Sequence, residues 1–387
     1  MLTSPSSESA DFEFAPFNHP PFYTPTIWQG MRIRHWLQLA AKHRFRIDRQ
    51  RLWKFLYSLT TSFCVPTGMV IQKACFGRRA QETPMVNDPV FVIGHWRSGT
   101  TFLHELLTLD DQFRAPTTFQ AFCPLVSLFA EGWFKPLTCW TIPSRRPMDN
   151  MDFGWDTAQE DEFAIVSMGL GSSYRRLAFP NEEEQYLEYL NMEGVSSEER
   201  DHWKQTFDTW IRFMNLHYKK RLALKSPPHT GRIALLLEMY PNAKFIHITR
   251  DPQRFIPSTM HLWAALERHN AMQEPKFEHL RDHVFDAYTE LYKGFFRDEH
   301  LLNAKNSATV QFHDLVANPI TELTRVYEAL DLGSLEQTIP KLKQRMTRDR
   351  NYQRNIHKTP PKLQGEIAER CAVYAERFGY ISKAAAA

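Results

Sequence analysis

The sequence predicts an α/β fold in three layers, with helices on both faces of a central parallel sheet and a helical extension at the N-terminal end. The first observation behind this is an apolar run, Val90 to Ile93, that passes through Gly94 and a loop of small residues into a helical pattern from Thr100. Two later runs behave alike. Residues 222–225 form a short apolar strand ending in Lys225, and the β-rich residues 242–249 end in Arg250, after which Pro252 starts another helix. The third observation is the helical spacing of Trp36, Leu37, Leu39, Ala40, Trp53, Leu56 and Tyr57 among many Arg and Lys residues. These features divide the chain into an arm with a helical cap, 1–85, and a main domain, 86–383.

Residues 1–30 are rich in Pro, Ser and Phe without periodicity and read as an extended arm, lying over the surface or loose, with no catalytic role. In the cap, the stretch from Phe55 to Gln72 is uncharged and flanked by basic residues. A packed helical cap is the preferred reading, ahead of peripheral membrane contact through residues 31–79. A transmembrane helix is least favoured, because Thr, Ser, Cys64 and Pro66 dilute the apolar character.

The loop after the first strand carries the anion chemistry. The amides of Ser98, Gly99, Thr100 and Thr101 have no partner inside the helix they open, and the positive end of its dipole adds to their attraction for a phosphate or sulfate. Gly99 permits close backbone approach, Thr100 and Thr101 add hydroxyls, and Arg97 adds a fixed positive charge. Residues 94–101 fit the spacing of a Walker A loop, except that Thr100 stands in the lysine position. That departure disfavours a nucleotide triphosphatase and points to a relative of the P-loop fold that handles a different anion.

The run Arg97-Ser98-Gly99-Thr100-Thr101 resembles the 5′-phosphosulfate loop of sulfotransferases that use 3′-phosphoadenosine 5′-phosphosulfate (PAPS). Three more stretches resemble that family in its own order: Lys225-Ser226-Pro227, Arg250 with Ser258 eight positions later, and a late strand, acidic loop and helix at residues 310–323. The resemblance covers about residues 86–335. It implies a three-layer, P-loop NTPase-like fold and transfer of a sulfuryl group from PAPS to a hydroxyl or amine, with no metal required. It also implies that Arg97, Ser98, Gly99, Thr100, Thr101 and Phe102 hold the 5′-phosphosulfate, and that Arg250 and Ser258 hold the 3′-phosphate. Lys225, with Arg97, would stabilise charge on the departing oxygen.

For the group that takes the acceptor's proton, His229, Glu160 and Glu162 stay open. His229 is preferred, because it lies near Lys225 at the strand's active end and a histidine titrates near neutrality. The acidic stretch 155–165 is a helix candidate in which Glu160 and Glu162 stand about 200° apart, so only one faces a given site. A similar run occurs in related bacterial sulfotransferases.

The remaining elements are two helices in 183–218, a long one in 275–302 and a final one at 363–378. Residues 113–147, aromatic and proline-rich, are expected to line the acceptor pocket, and Arg348, Arg350 and Arg354 are secondary candidates for nucleotide contact.

A net charge of +3, with the basic residues dispersed, argues against nucleic acid as a partner. Ten tryptophans within a 13% aromatic content suit an apolar small molecule or lipid as acceptor. Five cysteines without paired spacing predict free thiols, a Cys123–Cys139 bridge being the alternative. With no glycosylation sequon and no basic-then-apolar leader, a cytoplasmic setting is expected. Two rival classes are a nucleotide-dependent phosphotransferase, which Thr100 disfavours, and a non-catalytic membrane-associated binding protein, which leaves the spacing of Arg250 and Ser258 unexplained.

Overall fold

A computed structural model describes residues 14, 16–18, 20–146, 151–183, 185–349 and 358–380. Five parallel strands, β1 (Val90–Ile93), β2 (Phe113–Arg114), β3 (Arg221–Lys225), β4 (Lys244–Thr249) and β5 (Ser307–Gln311), form one sheet in the order β2-β3-β1-β4-β5. Val92 is in register with Lys225 and Ile93 with His247, so β1, β3 and β4 end side by side. Parallel strands need crossovers, and the helices that make them cover both faces, which is why the central strands are buried along almost their whole length.

Side chains alternate across each strand and split the core in two. Val90, Val92, Ile246, Ile248 and Val310 meet Leu103, Leu106, Leu323 and Leu330 on one face. Phe91, Ile93, Leu222, Leu224 and Phe245 join a larger cluster on the other. That cluster takes in Trp28 and Trp36 from the N-terminal region together with Trp96 and Trp263.

The described part of the arm therefore differs from a loose or superficial strap. Trp28 is fully buried, its Nε1 donates to Asn270 O at 2.7 Å, and Ile27 N donates to Asn270 Oδ1 at 3.2 Å. The sequence shows no period here because aromatic side chains dock singly from turns and not from one face of a regular element. The cap consists of the helices Ile33–Lys42 and Leu52–Glu82, the second carrying Pro66 inside it. Among the described residues no helix is long and apolar enough to cross a membrane.

Other elements follow the sequence pattern closely. Two helices, Glu188–Asn191 and Ser197–Tyr218, occupy the first predicted pair, and Leu280–Asp298 the long one. The helix Pro252–Asn270 starts as expected, with Pro252 in its first turn and the Asp251 carboxylate accepting from Gln253 N at 2.9 Å. The last predicted helix is two, Pro361–Arg370 and Ala372–Arg377, separated at the buried Cys371. All five cysteines are free thiols.

Behind the sheet's carboxyl edge, the 3₁₀ turn Pro227–Gly231 approaches the helix Leu280–Asp298 through glycine. A Cβ on Gly294 would lie 2.6 Å from Gly231 O, whereas one on Gly365, in the helix Pro361–Arg370, would meet nothing within 4 Å. Gly294→Ala is therefore expected to lose about 1–3 kcal/mol of stability by overpacking, and Gly365→Ala to gain about 0.5–1 kcal/mol. Urea unfolding of the two variants beside the parent checks both signs.

Candidate active site

The loop leaving β1 is shaped by two glycines with left-handed backbone. Gly94 has φ +142°, and a Cβ there would lie 2.4 Å from Ile248 O. Its amide donates to Thr230 Oγ1 at 2.7 Å, which ties the loop to the turn after β3. Ser98 Oγ donates to His95 O at 2.7 Å and closes the loop. Gly99, at φ +110°, then caps the helix Thr100–Leu107 without a side-chain hydrogen bond, so the first-turn amides have no capping side chain.

Three predicted residues from distant parts of the chain converge here. Arg97 Nε donates to Ser258 Oγ at 2.9 Å across 161 positions of sequence, and Arg250 Nη1 donates to Arg97 O at 2.9 Å. The Arg250 guanidinium lies over the Phe312 ring, 4.4 Å from its centroid. A cavity of about 1840 Å³ opens in front of them, and Arg97, Gly99, Thr100, Thr101, Phe102, Arg250 and Ser258 all line it. Ser98 is fully buried behind the loop. Arg348 also lines this cavity, while Arg350 and Arg354 lie outside the described residues.

Glu160 lines the same cavity. The predicted acidic helix is shorter than its pattern and runs Asp161–Ser167, leaving Glu160 as its extended N-cap residue. Helical angles therefore do not relate Glu160 to Glu162. Each of the three successive carboxylates instead meets a different basic partner from the segment after β3. Glu160 Oε1 accepts from Lys225 Nζ at 2.7 Å, Asp161 Oδ2 faces His229 Nε2 at 2.5 Å, and Glu162 accepts from Arg232 Nη1 at 2.8 Å and Nη2 at 3.0 Å. Ser226 Oγ and Ser172 Oγ complete the shell of Glu162.

Only Glu160 of the three lines the cavity. Lys225, 1% exposed, sits behind it; burial pulls its ammonium below the usual lysine range, with the Glu160 charge opposing. His229 and Glu162 are fully buried, and His229 packs edge-on against Phe91 and Phe207. The preference for His229 rests on its nearness to Lys225 in sequence, but the turn Pro227–Gly231 directs its ring inward to Asp161 and away from the cavity.

Tyr174 and Arg232 carry no motif and are not singled out by sequence. Tyr174 OH accepts from Trp96 Nε1 at 2.7 Å and donates to Glu160 Oε2 at 2.6 Å. Burial first, and then the Glu160 charge, push its phenol well above the usual tyrosine range, so it remains a donor. Arg232 had one available signal: 225, 229 and 232 form a regularly spaced basic series opposite the three adjacent acids.

The rungs differ in stability and pH response. Arg232→Met strands the buried Glu162 charge and is expected to cost about 3–5 kcal/mol in urea unfolding, more than Glu160→Gln at the cavity wall. At Asp161 burial pushes the carboxyl up, but the charge and hydrogen bond of His229 outweigh it and hold the group below its usual range. A carboxyl held low stabilises the fold above its unfolded pKa, and that stability disappears as pH falls through the folded value. The stability gap between the parent and Asp161→Asn should accordingly be widest near neutral pH and narrow below about pH 4.

Comparison with known proteins places this geometry. The Omega-hydroxy-beta-dihydromenaquinone-9 sulfotransferases Stf3 of Mycobacterium bovis and Mycobacterium tuberculosis are each 37% identical over 355 residues, covering 92% of this chain and 91% of theirs. The crystal structure of sulfotransferase STF9 from Mycobacterium avium superposes with a TM-score of 0.64 at 16% identity, covering 90% of this chain and 96% of that one. That of STF1 from Mycobacterium tuberculosis gives 0.60 at 18% identity, with coverage of 91% and 94%. These two share the α/β fold. A sulfotransferase family model matches residues 89–337, from the start of β1 through the last sheet helices, and the chain belongs to that family.

Proposed function

We propose that this enzyme uses PAPS as its donor and a lipid alcohol as its acceptor. The observation that carries this reading is the make-up of one cavity: Arg97, Arg250, Ser258 and the helix start at Gly99 gather in its wall, and Glu160 lines the same cavity. The fit to the donor rests on chemistry, since the first group offers guanidinium groups, hydroxyls and uncapped amides, the donor set that suits a polyanionic nucleotide. When bound, PAPS supplies an activated sulfuryl group, whose bond to the phosphate oxygen breaks as a bond to the acceptor oxygen forms.

Arg97 and the amides at 99–101 hold the phosphosulfate, while Arg250 and Ser258 hold the 3′-phosphate. Glu160 accepts the proton of the acceptor hydroxyl. Lys225 and Tyr174 fix the carboxylate from behind, and as Glu160 gains a proton the Lys225 charge becomes available to oppose the negative charge growing at the leaving oxygen. His229 and Glu162 keep Asp161 and Arg232 in place and so position the strand end that bears Lys225.

Among polar residues, the wall also carries the apolar side chains of Ile27, Phe122, Phe153, Phe163, Leu262 and Leu266. It suits an acceptor with a hydrocarbon body and a terminal hydroxyl, the chemistry named in the Stf3 relatives. Five free thiols agree with a reducing, cytoplasmic setting.

Calorimetry with adenosine 3′,5′-bisphosphate tests the donor end. Tight binding is expected for the parent, with Arg250→Ala weaker by about tenfold to a hundredfold; no association at all would sink the reading. Glu160→Gln is expected to lower kcat by about 10² to 10⁴ while the nucleotide affinity stays within about threefold. His229→Ala with normal nucleotide binding and a comparable fall in kcat but unchanged stability would return the base role to His229.

A further inference from the structure

The helix Leu52–Glu82 turns large apolar side chains outward and buries polar ones beside Phe55, Val65 and Ala80. Its buried positions include Ser58, Ser62 and Gln72, and the Ser58 and Ser62 hydroxyls have no hydrogen-bond partner among the described residues. Its outer face presents Trp53, Leu56, Tyr57, Phe63 and Val70, with Phe63 73% exposed. The helix Ser127–Thr138 packs alongside, Leu128 N donating to Gln72 Oε1 at 2.8 Å, and turns Phe129, Trp133 and Leu137 outward. A ladder of rings joins the two helices, from Trp53 to Phe22 (5.8 Å), Phe22 to Tyr23 (5.4 Å) and Tyr23 to the exposed Trp140 (5.1 Å). Thr24 and Pro25, the next residues, line the active-site cavity.

We propose that this face docks on the surface of an anionic lipid bilayer, from which the acceptor enters the cavity past the arm; the second half of this statement rests on the lipid-acceptor reading. Three features select a bilayer over a second copy of the chain. The apolar stripe from Trp53 to Val70 is about 25 Å long at 1.5 Å per residue, the form of a helix lying in the interface and not across it. No Asp or Glu occurs from residue 52 to 81, while the exposed Arg49, Lys73 and Arg79 stand at the stripe's two ends, where they meet lipid headgroups. Trp and Tyr, the side chains suited to the boundary between headgroups and hydrocarbon, form the ladder nearest the cavity.

Flotation of the full chain with vesicles of phosphatidylcholine and phosphatidylglycerol, containing neither donor nor acceptor, reads the docking face alone. The parent is expected to float with these vesicles, less so in high salt and with phosphatidylcholine alone. Phe63→Ser with Trp133→Ser, both at exposed positions, should weaken binding by about tenfold or more with unchanged thermal melting, and Leu137→Glu should do the same through charge. Turnover of a lipid alcohol dispersed in detergent should survive these substitutions, while turnover of the same alcohol in vesicles falls. A parent that fails to float, variants that float equally well, or a parent dimer that these substitutions dissociate would each overturn the docking face. Loss of turnover on both presentations of the alcohol, with flotation intact, would instead overturn the acceptor assignment.

Discussion

The architecture of the site depends on three consecutive carboxylates, Glu160, Asp161 and Glu162, facing Lys225, His229 and Arg232. Removing six ionisable groups from water is costly, and each pairing offsets that cost only where geometry is close and the remaining lone pairs are satisfied. The last rung meets this condition best. Glu162 takes two bonds from Arg232 and one each from Ser172 and Ser226, and Arg232 in turn donates to Tyr189 O at 2.8 Å and lies over the Trp203 ring. The positive end of the helix Asp161–Ser167 favours the carboxylates as well. These bonds pin the turn after β3, and Thr230 from that turn holds the amide of Gly94. The anion loop and the carboxylate wall are thus one rigid unit joined at the sheet's edge.

Within that unit, charges of both signs line the cavity. Arg97 and Arg250 are tied to each other through the Arg97 carbonyl, and to the helix Pro252–Asn270 through Ser258, so two like charges are held in a common orientation by neutral acceptors. Glu160, paired with Lys225 and partly exposed, also lines the cavity. Together the arginine pair and Glu160 suit an anion at the one and a separate proton-bearing molecule at the other. This demand is narrower than that of either group alone, because P-loop-like cradles serve many anions and a wall carboxylate serves many reactions.

Much of this was legible because it is local. The anion loop is a contiguous run in which each residue type answers a backbone need, and Pro252 and Asp251 mark the start of their helix as helix-start chemistry requires. β1, β3 and β4 followed from apolar runs too short to be helices, and the pairing of Arg250 with Ser258 from a spaced pattern, whereas β2 lies in a stretch read as loops and the bond from Arg97 to Ser258 had no signal. What escaped depends on contacts across the fold. Glu160 differs from Glu162 in burial and not in type, and only Glu160 of the two lines the cavity, for a reason other than helical angle, since the helix begins at Asp161. His229 lies near the strand end that bears Lys225, but the turn Pro227–Gly231 aims its ring at Asp161 and it does not line the cavity. Tyr174 sits in a short 3₁₀ segment with no motif around it, and only its bonds to Trp96 and Glu160 reveal its place.

The N-terminal region shows the same limit in a different form, since its composition favoured a packed cap without showing which side chains face outward. Three-dimensional position shows the packing of its two helices on the core and the side chains left exposed. The inner side of Leu52–Glu82 packs with small residues: a Cβ on Gly68 would lie 2.6 Å from Val126 Cγ1, and Ser58 and Ser62 are fully buried. Small residues inside and large apolar ones outside is the arrangement of helices whose surroundings are less polar than water, where close backbone contact and not burial of hydrocarbon holds helices together. In water the same distribution gives up hydrophobic stabilisation at every exposed ring and leaves two hydroxyls unpaired. The stabilisation that keeps this helix in place comes instead from its ends and edges, through Phe55 in the core beside Trp36, Lys54 Nζ on His269 O and Gln72 on the neighbouring helix. Such anchoring leaves Leu56, Tyr57, Phe63 and Val70 of the outer face outside the packed core.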